Sequence, residues 1–200
     1  FLARGFTRWT AAQRAREWNP IPKTENPTDL RGQTLLIYGL GRIGAEIARL
    51  ARALGLKVIG VRRHIGSADG VDETHTPDQL ATLLPRCDWL ALACPLTNET
   101  RGLIDAAMLA RLPRGARIIN ISRGEVIDEP ALIAALQSGH LGGAYLDVFA
   151  QEPLPADSPL WDLPNVLLSP HNASASAGND ERINAIFLDN LRRWRRNEQL

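Results

Sequence analysis

Hydrophobic residues along this chain gather into short continuous runs separated by stretches of helical period. Residues 35–38, 56–61, 88–94, 116–121, 144–148 and 166–168 are such runs. A run apolar on both faces is the signature of a parallel strand covered on both sides. After the first run, Ile43, Ile47, Leu50, Ala51 and Leu54 are predicted to share one helical face. A short helix is predicted to start at Thr76-Pro77-Asp78-Gln79, with threonine as N-cap, proline in the first turn and glutamine closing a capping box. Asp105 is placed to cap a helix over 106–112, and a further helix is predicted over 130–137. Gly55 and Gly139 read as helix stops. Residues 1–18 read as an amphipathic helix, with Phe1, Phe6, Trp9 and Ala12 near one face and arginines around it. Residues 19–32, with three prolines between 19 and 27, form an extended connector, and residues 64–75 form a polar loop. A last helix near 177–195 is predicted to bury Ile183, Ile186, Phe187, Leu191 and Trp194. Strands alternating with helices specify an α/β protein, a Rossmann-type doubly wound parallel sheet flanked by helices.

The first strand runs directly into Gly39-Leu40-Gly41-Arg42-Ile43-Gly44, the pattern G-x-G-x-x-G. A tight turn there lets the backbone approach a pyrophosphate, and the helix behind it offers free N–H groups and a positive dipole end. The strand before, the helix after and the second strand at the right distance turn a weak motif into a nucleotide site. At the tip of the second strand, where NAD sites carry an acid for the ribose hydroxyls, this chain has Arg62 and Arg63. A guanidinium binds a 2′-phosphate through paired hydrogen bonds, so the expectation is NADP(H) preferred, with NAD(H) possible. The alternative is that both arginines are solvated loop charges.

Composition narrows the classes. Lys and Arg number 23 against 22 acidic residues, a net charge of +1 with no long run of one sign, which leaves no nucleic-acid footprint. Cys87 and Cys94 have no metal-ligand spacing with the four histidines, so no metal site is predicted, and they read as buried thiols of a reducing compartment. No apolar stretch approaches a membrane span. The expectation is therefore a cytoplasmic protein of one domain over residues 1–200.

In a doubly wound sheet, ligands bind beyond the carboxyl ends of the strands. Three such ends carry reactive groups: Arg123 in Ser122-Arg123-Gly124, Glu152 in the stretch from Asp147 to Pro153, and His171 in Pro170-His171. With the glycine turn and Cys94-Pro95-Leu96-Thr97 followed by Thr100, these motifs cover nearly the whole chain. The chain resembles the NAD(P)-binding domain of the D-isomer-specific 2-hydroxyacid dehydrogenases, a group that includes glyoxylate/hydroxypyruvate reductases and phosphoglycerate dehydrogenases. The resemblance implies that Arg123 anchors a small 2-oxo acid or 2-hydroxy acid, that His171 is the acid/base and that Glu152 is its partner. It also implies cofactor contacts from Arg42, Ile43, Cys94, Pro95, Thr100, Ile121, Ser122 and Asp147, the last to the nicotinamide carboxamide. The chemistry agrees. A planar guanidinium orients a carboxylate, an imidazole supplies a proton near neutrality, and a carboxylate on its other ring nitrogen fixes the tautomer and favours imidazolium.

The resemblance further implies a homodimer, with residues 1–18 as a linker or dimer helix that includes Trp9 and Trp18. It also implies a separate substrate domain on the N-terminal side, absent from these 200 residues, without which the crevice is open to water. A dinucleotide-sensing corepressor or scaffold of the same fold is the rival reading, since fold alone does not decide function. The arginine, glutamate and histidine set favours the enzyme.

Overall fold

In the computed structural model, which describes residues 1–21, 27, 29–64 and 69–199, the chain falls into two compact units, residues 1–170 and 171–200. The first unit runs α1 (Phe6–Ala15), β1 (Thr34–Tyr38), α2 (Arg42–Ala53), β2 (Lys57–Val61), β3 (Glu73–His75), α3 (Leu80–Leu83), β4 (Trp89–Leu92), α4 (Ala106–Arg111), β5 (Arg117–Asn120), α5 (Glu129–Gln137), β6 (Gly143–Leu146) and β7 (Val166–Leu168). Among the described residues the seven strands form one parallel sheet in the order β3-β2-β1-β4-β5-β6-β7. The chain therefore reverses its direction of travel across the sheet between β1 and β4. That reversal opens a crevice at the carboxyl ends of the two strands.

The alternation of β1 explains why the sheet needs cover on both faces. Leu35 and Ile37 pack into one apolar cluster with Val58, Ala48 and Trp89, while Leu36 and Tyr38 enter the other with Ile59, Leu90 and Leu92. Each large aliphatic side chain so buried contributes roughly 1.5–3 kcal/mol. Local signals set the helix ends: Asp105 accepts from the Met108 N–H at 2.8 Å, and Asp128 from that of Ala131 at 3.1 Å. Gln79 Oε1 accepts from the Thr76 N–H at 3.3 Å, as the capping-box reading requires.

Four expectations are corrected. Residues 73–75, read as part of a polar loop, form β3 and extend the sheet beside β2. An edge strand has no apolar run to betray it; Glu73 instead pairs with Arg86 at 2.5 Å and His75 at 2.9 Å. The predicted face of α2 holds at Ala51, which is buried, and at Ile47, which packs partly buried against the core, but not at its other large residues. Gly44, Ala48 and Ala51 turn inward, whereas Ile43, Leu50 and Leu54 are 62%, 49% and 60% exposed. A β-carbon on Gly44 would lie 2.0 Å from the Gly39 carbonyl oxygen and 3.4 Å from Ile37, so the helix sits too close to the turn and sheet for anything but small residues.

The continuous helix expected over 1–18 is broken at Gly5, whose φ of 66° separates a 3-10 turn over Leu2–Arg4 from α1, and it ends at Arg16, φ 58°. Trp18 lies beyond the helix and is 96% exposed. Residues 22–26 and 28 of the expected connector, and 65–68 of the expected loop, lie outside the described residues.

The second unit consists of turns followed by α6 (Asn179–Arg195). None of its described residues is buried, so Ile183, Ile186, Phe187, Leu191 and Trp194, expected in a core, are exposed. Thirty residues built around one helix supply no second layer to receive that face.

Candidate functional site

Beyond β1 the three glycines of the turn have different physical reasons. Gly39 has a φ of 106°, and a β-carbon there would lie 2.7 Å from the Ala93 carbonyl and 2.8 Å from the Cys94 nitrogen, because the turn passes beneath the exit of β4. Gly44 is required by the close approach of α2 described above. Gly41 is required by neither: its φ is −81°, and a β-carbon would meet nothing within 4 Å. It is also the N-cap of a twelve-residue helix with no side-chain cap hydrogen bond, so the orphan N–H groups of the first turn are left for another acceptor. Open space over a helix N-terminus is what a dinucleotide pyrophosphate needs, and the residues present fit that group.

A cavity of about 400 Å³ lies alongside, with Gly39, Gly41, Arg62, Arg63, Thr97 and Glu99 among its walls. The Arg62 N–H donates to the His75 carbonyl at 3.0 Å, so β3 fixes the tip of β2 that presents both arginines. Thr100 lines the same cavity, but its hydroxyl is engaged in its own loop, donating to the Pro95 carbonyl and accepting from the Thr97 N–H, both at 2.8 Å. It shapes Pro95–Thr97.

A second cavity, of about 390 Å³, shares Cys94 and Pro95 with the first and is closed by Ile43, Ile121, Ser122 and Arg123. The loop carrying Arg123 is held from below by Asn120, the last residue of β5 and 1% exposed. Asn120 Oδ1 accepts from the Ser122 N–H at 3.0 Å and from its hydroxyl at 2.7 Å, while Nδ2 donates to the Arg123 carbonyl at 3.0 Å. The Arg123 guanidinium donates to the Ser122 carbonyl at 2.6 Å and the side chain is exposed towards solvent. Burial raises the Cys94 thiol above its ordinary value and pushes Cys87 up to about 12, so both are protonated at neutral pH.

At the end of β6, Asp147 is buried and accepts a hydrogen bond from the Ser169 hydroxyl, which also meets the Tyr145 hydroxyl at 2.8 Å. Glu152 Oε1 accepts from the Phe149 N–H at 3.0 Å, and Glu129 accepts from the Ala150 N–H at 3.0 Å, so two carboxylates pin the loop after β6. Gly124 lets that loop pass, since a β-carbon there would be 1.8 Å from the Phe149 carbonyl carbon. His171 opens the second unit with a φ of 54°, in the left-handed region that a side chain with a β-carbon rarely takes.

The first unit thus gathers Gly39, Gly41, Arg62, Arg63, Cys94, Pro95 and Thr100 around one cavity, and Ile43, Ile121, Ser122 and Arg123 around its neighbour, while Gly44 is buried in α2 and lines neither. Arg42 stands exposed at the first position of α2. The roles of Asn120, Ser169, Tyr145 and Glu129 were not read from the sequence. A polar residue closing an apolar strand, Asn120 after Ile118-Ile119, was the available signal. Among the described residues no helix is long and apolar enough to cross a membrane.

Comparison with known proteins gives the chain clear relatives. Residues 1–173 match the family model described as D-isomer specific 2-hydroxyacid dehydrogenase, NAD binding domain. The glyoxylate reductase of Korarchaeum cryptofilum is 42% identical over 174 residues, 85% of this chain and 51% of that protein. The glyoxylate/hydroxypyruvate reductase B of Citrobacter koseri is 45% identical over 166 residues, 82% of this chain and 51% of its own length. The chain thus spans about half the length of these relatives. The crystal structure of a D-isomer specific 2-hydroxyacid dehydrogenase from Xanthobacter autotrophicus Py2, in complex with NADPH and MES, superposes with a TM-score of 0.86 at 39% identity, covering 99% of this chain and 79% of that one.

Proposed function

Because the chain belongs to the NAD-binding-domain family of the D-isomer specific 2-hydroxyacid dehydrogenases, we propose that it holds the cofactor and the main reacting groups of an oxidoreductase acting on a small 2-oxo acid or its D-2-hydroxy acid. The observation that carries this reading is the pair of adjoining cavities with Cys94 and Pro95 as their common wall. One is bounded by the open face of Gly41 and by two arginines, the other by Arg123. When bound there, the nicotinamide supplies or takes up a hydride.

The protein's own groups do the rest. Arg123 binds the substrate carboxylate by paired hydrogen bonds and so fixes which carbonyl face is presented. His171 gives the carbonyl oxygen its proton during reduction and removes it during oxidation. Its left-handed backbone supports such a role, because strain of that kind persists where surrounding structure or function demands it. Glu152 is the acidic partner that fixes the imidazole tautomer. Asp147, steadied by Ser169, takes the carboxamide N–H. The buried thiols fit the reducing cytoplasm, and the same reading makes the protein a homodimer with the exposed rings of Trp9 and Trp18 at its contact.

The test is consumption of NADPH in the presence of glyoxylate, hydroxypyruvate and bulkier 2-oxo acids. Expected is substrate-dependent oxidation with at least one of them. Dinucleotide binding without turnover of any 2-oxo acid by the whole protein would favour a sensing role instead.

Cofactor choice is a separate prediction. Arg62→Ala and Arg63→Ala are each expected to weaken NADPH binding by about tenfold or more, the scale of one lost charge-assisted contact. NADH binding should stay within about threefold, since no phosphate faces the arginines there. Fluorescence titration with both cofactors decides it. Tighter NADH than NADPH binding by the unaltered protein would end the NADP preference.

A further inference from the structure

The cavity beside the glycine turn is lined by Arg62, Arg63 and His64, yet among its described lining residues one is acidic: Glu99. The position of that carboxylate is fixed. Thr97 Oγ1 donates to Glu99 Oε2 at 2.5 Å, and the Glu99 N–H donates back to the same hydroxyl at 3.2 Å. Thr97 is itself held by Thr100, whose hydroxyl accepts from the Thr97 N–H at 2.8 Å. The carboxyl is lowered from its ordinary value, first through the Thr97 hydrogen bond and then through its backbone contact and the attraction of Arg63. It is therefore ionised throughout the neutral range. The same charge helps to raise Tyr38, which lines the same cavity, behind the larger effect of burial and the influence of Cys94. The charge of Glu99 is thus felt at both Arg63 and Tyr38.

A ligand carrying a phosphomonoester beside Arg62 and Arg63 enters that field with a charge of about −1.5 to −2, whereas one ending in ribose hydroxyls enters it uncharged. We propose that Glu99 is a specificity-determining residue of the dinucleotide site: its carboxylate opposes the arginine pair and holds down the preference for 2′-phosphorylated cofactor, so that the unphosphorylated dinucleotide is accepted as well. The proposal rests on the reading that the 2′-phosphate lodges at Arg62 and Arg63, and deepens it. Glu99 is exposed, so water screens its repulsion and the effect is moderate. A like charge several ångströms away in high dielectric is worth about three- to tenfold in affinity towards a doubly charged group.

The experiment compares the unaltered protein with Glu99→Gln, Arg62→Ala and Arg63→Ala, titrating each with NADPH, NADH and the adenosine halves 2′,5′-ADP and 5′-AMP at low and high salt. Glu99→Gln keeps the shape and removes the charge. Expected is tighter binding of NADPH and 2′,5′-ADP by about three- to tenfold at low salt, shrinking at high salt, with NADH and 5′-AMP within about twofold. Equal changes for both pairs, or none for either, overturn the role of Glu99. If Arg63→Ala weakens 2′,5′-ADP selectively while Glu99→Gln changes nothing, the arginine reading stands and the Glu99 proposal falls alone. If neither Arg63→Ala nor Arg62→Ala affects 2′,5′-ADP selectively, both fall together.

Discussion

Replacing Gly41 by valine is expected to leave the fold intact and to weaken dinucleotide binding by about 10²-fold or more. The argument comes from comparing the three turn glycines. At Gly39 a β-carbon would press on the backbone of residues 93 and 94 at 2.7–2.8 Å, and the φ of 106° is strained for any side chain. At Gly44 it would press on the Gly39 carbonyl oxygen at 2.0 Å. Substitutions there destabilise the protein whatever it binds. Gly41 has an extended backbone, φ −81° and ψ −164°, and a β-carbon there would meet nothing within 4 Å, so a side chain starts into open space. A pyrophosphate close to that backbone is excluded by the added methyl groups and loses contact with the first-turn N–H groups of α2. Each charge-assisted hydrogen bond lost is worth about 1.5–3 kcal/mol, so one or two account for the predicted factor. A thermal melt and a cofactor titration on one preparation separate the effects. Normal NADPH binding by a folded Gly41→Val protein would mean that the phosphates do not sit over this helix end.

Parallel strands buried on both faces announce themselves as apolar runs, and six of the seven strands were legible in that way. The exception was β3, whose Glu73-Thr74-His75 carries no apolar signal because an edge strand needs little burial and makes its lateral contacts through charge. The face of α2 was misread at Ile43, Leu50 and Leu54, though not at Ile47 and Ala51, for a related reason. Periodicity weights large side chains, but where a helix lies close to a turn the packed positions are those of Gly44, Ala48 and Ala51. In α6 a clear apolar stripe was read as core, yet the unit to which it belongs has no layer to cover it.

Chemistry was legible where a motif has a fixed local geometry, as with the glycine turn and Ser122-Arg123-Gly124. It was not legible where the partner comes from another strand. The Ser169 hydroxyl on Asp147 and the Glu129 carboxylate on the loop after β6 depend on which strands lie side by side. Each joins groups whose proximity is created by the sheet order.

His171→Ala is expected to lower the turnover of glyoxylate or hydroxypyruvate with NADPH by about 10²–10⁴-fold, the range for a lost general acid or base. NADPH affinity should change by less than about twofold, because the glycine turn, Arg62 and Arg63 are untouched. That combination separates a proton carrier from a residue that merely supports the fold, whose loss would lower binding and stability together. Glu152→Gln is expected to act more weakly and in a different manner. The amide oxygen still accepts from the Phe149 N–H, so the loop keeps its shape. The formal charge is gone, however, and with it the charge-assisted partner of the proton carrier, so turnover should fall by about tenfold while NADPH affinity is kept. Steady-state rates, with cofactor saturation checked, measure both variants. If His171→Ala retains near-normal turnover, the proton reaches the carbonyl oxygen by another route. If only Glu152→Gln turns over normally, His171 keeps its role and another group orients it.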